Sequence, residues 1–334
     1  MSTDFRSLLI NGGCSDLHHL TQLKRKGQRA PVIQQYFRNQ REVADNADLE
    51  LSERWLKKMK KIMGQIDDHV KWCVPFSGRP FRFLDLGCCP GGFSTYILKK
   101  NKQSTGVGIS LDPADGGHPY LIEQGIRDRH TIIFADLTLF QLGPQMISSP
   151  FFNFRPLPED LTTRQFDLAL LDAHHLRTQN SSSSDLLAIS QIVVALLSIK
   201  FGATVIMKLA NPESWYTVRM LFFLDVLSAS LTVHKPYAMH RNQGTFYAIG
   251  KGVGGKSERQ RFLSHNLLPE FQKLWVDLRS GNGGAGRSLE PKDLNFIISD
   301  EQVKGYASRL AELCEPVWKI QSAALEKLYA EQGI

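Results

Sequence analysis

The 334-residue chain lacks the features that would place it in a membrane or in an oxidising compartment. No apolar run approaches the ~18 residues that a membrane span needs, so no transmembrane helix is expected. The opening residues MSTDFRSLLINGGCSD carry no basic stretch followed by an apolar core, which argues against a secretory leader. Cysteine is scarce: five residues, an odd number, scattered without metal-ligand spacing. That pattern excludes a disulfide framework and a zinc site, predicts no metal, and fits a reducing compartment, cytoplasmic or nuclear. There is no G-x-G-x-x-G run and no glycine loop followed by Gly-Lys-Ser/Thr, so neither the dinucleotide fingerprint of dehydrogenases nor a P-loop is present. No internal repeat is found. Net charge is not balanced: 40 lysines and arginines face 33 acidic residues, giving +7, which is compatible with a polyanionic partner.

What the chain does have is one dense motif. Phe81-Arg82-Phe83-Leu84-Asp85-Leu86 reads as a buried strand that stops at Gly87. Cys88-Cys89-Pro90-Gly91-Gly92 forms a tight turn, and Phe93-Ser94-Thr95-Tyr96-Ile97-Leu98 reads as the start of a helix. Strand, glycine loop and helix together make the nucleotide-binding edge of a parallel α/β sheet: glycine lets the backbone approach a ligand, and the helix N-terminus offers free N–H groups. Further strands are read at 106–111, 131–135, 166–171 and 203–208, and a last pair at 231–235 and 245–249. Helices are read at 185–200 and 214–228, which yields βαβ units and a doubly wound sheet. Before the first strand, Leu51, Trp55, Met59, Ile62 and Ile66 recur at helical spacing with lysines 57, 58, 60 and 61 between them, an amphipathic basic helix. Residues 1–50 are polar and mixed, and Lys24-Arg25-Lys26 with Arg29 read as a solvated cluster. The stretch 137–165 reads as an insertion, 281–286 as a glycine linker, and 257–279 and 300–331 as helices.

Asp85, Asp112, Asp136 and Asp172 each fall near the carboxyl end of a strand, where ligands bind in such sheets. The run from Asp85 to Ser94 resembles the D-L-G-x-x-P-G-G-[FW]-S motif of the FtsJ-like methyltransferases. The resemblance spans about residues 50–250. It implies a Rossmann-like seven-stranded methyltransferase sheet with its last strand antiparallel, carrying N-terminal (1–50) and C-terminal (251–334) helical extensions around a 51–250 methyltransferase domain. The implied cofactor is S-adenosylmethionine, held by Asp85, Gly87, Pro90, Gly91, Gly92, Phe93, Asp112, Asp136 and Asp172. By the same resemblance, Asp112 would meet the ribose hydroxyls and Asp136 the adenine amino group.

RNA 2′-O-methyltransferases of this kind use a Lys-Asp-Lys-Glu tetrad. The resemblance assigns the second lysine to Lys208 in Val205-Ile206-Met207-Lys208, the aspartate to Asp172 in Leu170-Leu171-Asp172, and the first lysine to Lys58 in Arg54-x-x-x-Lys58-Met59-x-x-Ile62, with Lys57 and Lys61 as neighbours that could substitute. Two departures stand out. The stretch matching the family's R-x-x-S-x-E-x-Y pattern is Arg241-Asn242-Gln243-Gly244-Thr245-Phe246-Tyr247, one residue shorter; aligned on the tyrosine, Thr245 takes the place of the glutamate. Asp172 is followed by Ala173-His174-His175, and either imidazole could act as a base. The expected activity is therefore O-methyl transfer with an RNA 2′-hydroxyl as first-choice acceptor. A small-molecule hydroxyl or phenol, or a catalytically silent partner protein, are the alternatives.

Overall fold

The computed structural model describes residues 4–147, 152–174, 183–281 and 286–334. Among these, seven strands form one sheet: β1 (Phe81–Leu86), β2 (Ser104–Ser110), β3 (His130–Phe134), β4 (Phe166–Leu171), β5 (Ile199–Ala210), β6 (Ser230–His234) and β7 (Thr245–Val253). Their order is β3-β2-β1-β4-β5-β7-β6. β1 to β5 pair in parallel, and β7 runs antiparallel to both of its neighbours, β5 and β6. β1 and β4 are near-continuous apolar runs because helices cover both of their faces. Since the chain winds outward in both directions from β1, a crevice opens above the carboxyl ends of β1, β2 and β4.

The basic amphipathic segment forms α4 (Leu49–His69), started by Asp48, whose carboxylate accepts the Leu51 N–H at 2.7 Å. It follows three short helices, α1 (Phe5–Asn11), α2 (Ser15–Arg29) and α3 (Pro31–Asp45). The motif helix is α5 (Gly92–Lys100), followed by the single turn α6 (Gln124–Arg127). α7 (Ser183–Ser198) and α8 (Trp215–Leu227) complete the layers, and α9 (Ser257–Phe262), α10 (Leu268–Ser280) and α11 (Asp300–Glu331) end the chain. A π-helical turn at Leu263–Leu267 joins α9 to α10.

The first fifty residues are not a solvated polar segment. Phe5, Leu9, Leu17 and Leu20 are buried in the same core as Leu325 and Leu328 of α11. Tyr329 of α11 donates its hydroxyl to the Leu23 carbonyl at 2.9 Å. Lys24 is not free in solvent either: its Nζ lies 3.3 Å from the buried Glu213 and 3.1 Å from Asn211 Oδ1, just beyond β5. The two ends of the chain thus form one helical layer. Arg219 of α8 is fully buried and locks that layer to the sheet, pairing with Asp300 and lying over the Phe5 ring at 5.7 Å.

Within the 137–165 stretch, Phe140 bridges Arg155, and Phe154 packs edge-on against Trp275 of α10 at 5.8 Å. The glycine linker read at 281–286 lies mostly outside the described residues, and so does His175.

Candidate active site

The glycine loop folds as the motif demands. Gly87 has φ +83°, and a Cβ there would stand 2.5 Å from the Ala173 nitrogen. Only glycine lets the loop after β1 come that close to the loop after β4. Gly91 has φ +110° and caps α5. Gly92 does a different job from the one expected of it. A Cβ there would lie 2.6 Å from the Leu56 carbonyl and 2.5 Å from Met59 Cβ, so this glycine faces α4 and lets that helix lie against α5. Pro90 accepts the Leu121 N–H at 3.0 Å through its carbonyl.

A cleft of about 270 Å³ opens beside this loop, lined by Gly87 and Cys89 after β1, Ile109 to Leu111 after β2, Ala135 to Thr138 after β3, Ala173 and His174 after β4, and Leu187 of α7. Of the expected cofactor residues, Gly87 and Asp136 line it directly. One Asp136 oxygen is occupied, accepting from both the backbone and the hydroxyl of Thr138 at 2.8 Å. Asp112 stands between two lining residues, Leu111 and Gly117; its Oδ1 accepts the Ala114 N–H at 2.8 Å.

Asp85 stands near the carboxyl end of β1, as the fifth of its six residues, but is wholly buried. Ser94 donates to its Oδ2 at 2.6 Å, His130 Nε2 meets the same hydroxyl at 3.0 Å, and Tyr120 meets His130 Nδ1 at 2.8 Å. Because the Ser94 proton is given to Asp85, the imidazole donates from Nε2 and accepts the Tyr120 hydroxyl at Nδ1. Burial pushes the Asp85 carboxyl up to about 7, and its Oδ1 has no partner among the described residues. Asp85 therefore braces the loop from beneath and does not line the cleft.

At the neighbouring strand ends, Lys208 Nζ lies 3.5 Å from Asp172 Oδ1, and both side chains are largely buried. Tyr247, which pairs with Lys208 across β5 and β7, donates its hydroxyl to the same Asp172 oxygen at 2.9 Å. Phe93 of the glycine loop packs edge-on against the Tyr247 ring at 5.8 Å, so loop and lysine share one rigid connection.

Three imidazoles surround Lys208. His174 Nδ1 is 3.4 Å from its Nζ. His118, set edge-on to Trp55 of α4 at 5.1 Å, is held below its ordinary value by burial and then by the Lys208 charge. His240 is pushed down to about 4 by the same two causes in the same order. His240 Nδ1 lies 2.8 Å from Gln243 Oε1, so that nitrogen carries the proton and Nε2 is left as an acceptor.

Lys58 is not brought into this cluster: it is exposed on α4 and makes no hydrogen bond or ion pair among the described residues. Thr245 opens β7 opposite Ala210. Among the described residues Lys208 consequently has one carboxylate partner, Asp172, where the tetrad pattern would supply two. His118 and His240 escaped sequence reasoning because both sit in irregular connections with no periodicity to mark them. Tyr247 had a signal, the final tyrosine of the R-x-x-S-x-E-x-Y pattern.

The family model described as FtsJ-like methyltransferase matches residues 58–253. No curated protein matches the chain in sequence. Similar solved structures include a TehB-like SAM-dependent methyltransferase from Corynebacterium glutamicum (14% identity, 66% of this chain and 97% of that one, TM-score 0.33). An rRNA methylase from Streptococcus thermophilus has 9% identity over 58% of this chain and 93% of its own, with a TM-score of 0.35. A 1,6-didemethyltoxoflavin-N1-methyltransferase from Burkholderia thailandensis, with S-adenosylhomocysteine bound, has 10% identity over 59% and 78%, with a TM-score of 0.35. Similarity at this level carries no information about the methyl acceptor.

Proposed function

Because this chain belongs to the FtsJ-like methyltransferase family and is an S-adenosylmethionine-dependent enzyme, we propose that it methylates a hydroxyl oxygen, an RNA 2′-hydroxyl, held at Lys208. The observation that carries this reading is the Lys208–Asp172–Tyr247 cluster at the carboxyl ends of β5 and β4 and the amino end of the antiparallel β7, one ring contact from the glycine loop.

The cleft suits the cofactor. Ile109, Leu111, Ala135, Leu137 and Leu187 offer an apolar bed for a flat purine. Asp136 offers a carboxylate for an exocyclic amine, and Asp112 keeps an oxygen available for ribose hydroxyls. Gly87, Pro90, Gly91 and Phe93 shape the loop; Asp85 and Gly92 support it from behind. When bound, S-adenosylmethionine supplies a methyl group on a positively charged sulfur, open to in-line attack.

The protein must then align the acceptor oxygen and manage its charge. Lys208, oriented by Asp172, donates a hydrogen bond that holds the acceptor oxygen with a lone pair in line with the methyl group. Tyr247 fixes the Asp172 oxygen that holds Lys208. His240, neutral at pH 7 and presenting Nε2, receives the hydroxyl proton. A weak base suffices there, because the oxygen loses its own basicity as it bonds to carbon. The exposed lysines 57, 58 and 61 on α4 support RNA over a small acceptor, since they present positive charge on an open surface.

The test is transfer of a labelled methyl group to RNA, followed by digestion to nucleosides. Recovery of 2′-O-methylnucleosides, lost with Lys208→Ala, supports the reading. Methylation of base nitrogens, or of small phenols but no RNA, overturns it.

A further inference from the structure

The turn between β6 and β7 carries an exposed aromatic ring that the reaction does not use. Tyr237 is 52% exposed, and the Arg241 guanidinium lies over its ring at 5.2 Å from the centroid. The turn stands beside the reacting lysine: its stem residue Thr245 pairs with Ala210, two residues beyond Lys208, and the Asn211 N–H bonds the Gly244 carbonyl at 3.0 Å. The turn is also fixed to α4, where Gln65 Oε1 accepts the Tyr237 N–H at 3.1 Å. Lys61 and Lys58 precede Gln65 by four and seven positions, so all three share one stripe of the helix. Both lysines are exposed.

An open aromatic face backed by a guanidinium, next to a row of solvated lysines, is the combination that holds single-stranded nucleic acid: the ring takes an unstacked base and the cations take the backbone. A base held in a duplex cannot use such a face without leaving its stack. We propose that Tyr237, backed by Arg241, stacks an unpaired RNA base next to the nucleotide presented to Lys208, with Lys58 and Lys61 on the adjoining phosphates. This inference rests on the RNA reading above and narrows it to unpaired RNA. It also gives Lys58 a role that its exposed position permits, in place of membership in the catalytic cluster.

The test is fluorescence anisotropy with a labelled single-stranded RNA of about 12 nucleotides and a blunt hairpin of the same composition, with S-adenosylhomocysteine present. The full chain is expected to prefer the single strand. Tyr237→Ala should weaken that binding by about tenfold or more, the loss of one base–aromatic stack, while Tyr237→Phe stays within about twofold. Lys58→Gln with Lys61→Gln should make the salt dependence shallower by about 1.4 in log–log slope, two phosphate contacts on a single strand. S-adenosylhomocysteine affinity, read by calorimetry on each variant, reports that the fold is intact. RNA bound equally well by wild type and Tyr237→Ala, or duplex bound as tightly as single strand, overturns the stacking site and leaves the RNA reading standing. Absence of RNA binding by a protein that still binds S-adenosylhomocysteine overturns both.

Discussion

Lys208 is the residue on which most of the proposed chemistry converges, and its environment sets what replacing it should do. In that reading Lys208→Ala removes the donor to the acceptor oxygen, at a position that lines no part of the cofactor cleft. Methyl transfer should fall by about 10²-fold or more, as for loss of a transition-state donor, while S-adenosylmethionine affinity measured by calorimetry stays within a few fold. Gly87→Ala should act in the opposite way. The new methyl would stand 2.4 Å from Ala173 Cα, far inside van der Waals contact, at a φ that alanine resists, so cofactor binding and thermal stability should fall together. At this scale the sequence was readable where one residue type has one physical job. The glycines at φ > 0 and the lysine closing an apolar strand could be picked out because few other residues serve there. His118 and His240 could not, since their roles depend on which turns become neighbours; Tyr247 was marked only as the last position of a pattern, and its hold on Asp172 needs β4, β5 and β7 side by side. Lys58 shows the converse: a helical pattern puts several lysines on one surface, and the pattern alone cannot say that the side chain points to solvent.

Among elements, the α2–α11 contact is the least legible in the sequence and the most testable in the structure. Phe5, Leu9, Leu17 and Leu20 are sparse among polar residues, so the first fifty positions read as solvated until α11 provides a surface to bury them. The strands were readable by contrast, since each is a short apolar run ended by a turn residue, and their order follows from right-handed crossovers. Where α2 meets α11, a Cβ on Gly27 would stand 2.2 Å from the Tyr329 hydroxyl. Gly27→Ala, usually favourable inside a helix, should therefore destabilise the protein by about 1–3 kcal/mol through overpacking. Tyr329→Phe in the same chain should recover part of the loss, because the nearest clashing atom is gone. Urea titration of both single variants and the double variant measures the coupling.

For the molecule as a whole, buried titratable groups set the pH of greatest stability. His130, His234 and His240 are each pushed from 6.5 down to about 4, chiefly by burial. Between those values the unfolded chain binds protons that the native state refuses, so stability is lost as pH falls. Asp85 works the other way: raised from 3.8 to about 7, it stays protonated in the native state while the unfolded chain has ionised, so stability is lost as pH rises through that window. Three imidazoles outweigh one carboxyl below pH 6.5, and the carboxyl alone acts between there and about pH 7. Above that, Lys235, pushed by burial from 10.5 down to about 7, adds stability as pH rises, because the unfolded chain still holds the proton. The urea midpoint of the ligand-free protein should thus fall toward about pH 4, dip slightly between about pH 6.5 and 7, and recover above it. Asp85→Asn, which can still accept the Ser94 hydroxyl, should remove that dip. A dip that persists in that variant would show that another group is responsible.

The closure of the first helices onto the last has a consequence for how this enzyme is made. On the ribosome, α1 and α2 emerge early, with Leu17, Leu20 and Leu23 facing a partner encoded some 306 residues later. One face of the sheet, with α4 and α5 packed on it, has a core in which neither the opening helices nor α11 takes part, whereas the opening helices must wait until α11 is translated. Lys24 and Arg6, which reach Glu213 beside the end of β5, are held back with them. A nascent chain stalled before Asp300 would thus display a complete glycine loop next to an exposed greasy helical hairpin, a form suited to chaperone capture and poorly suited to release as a working catalyst.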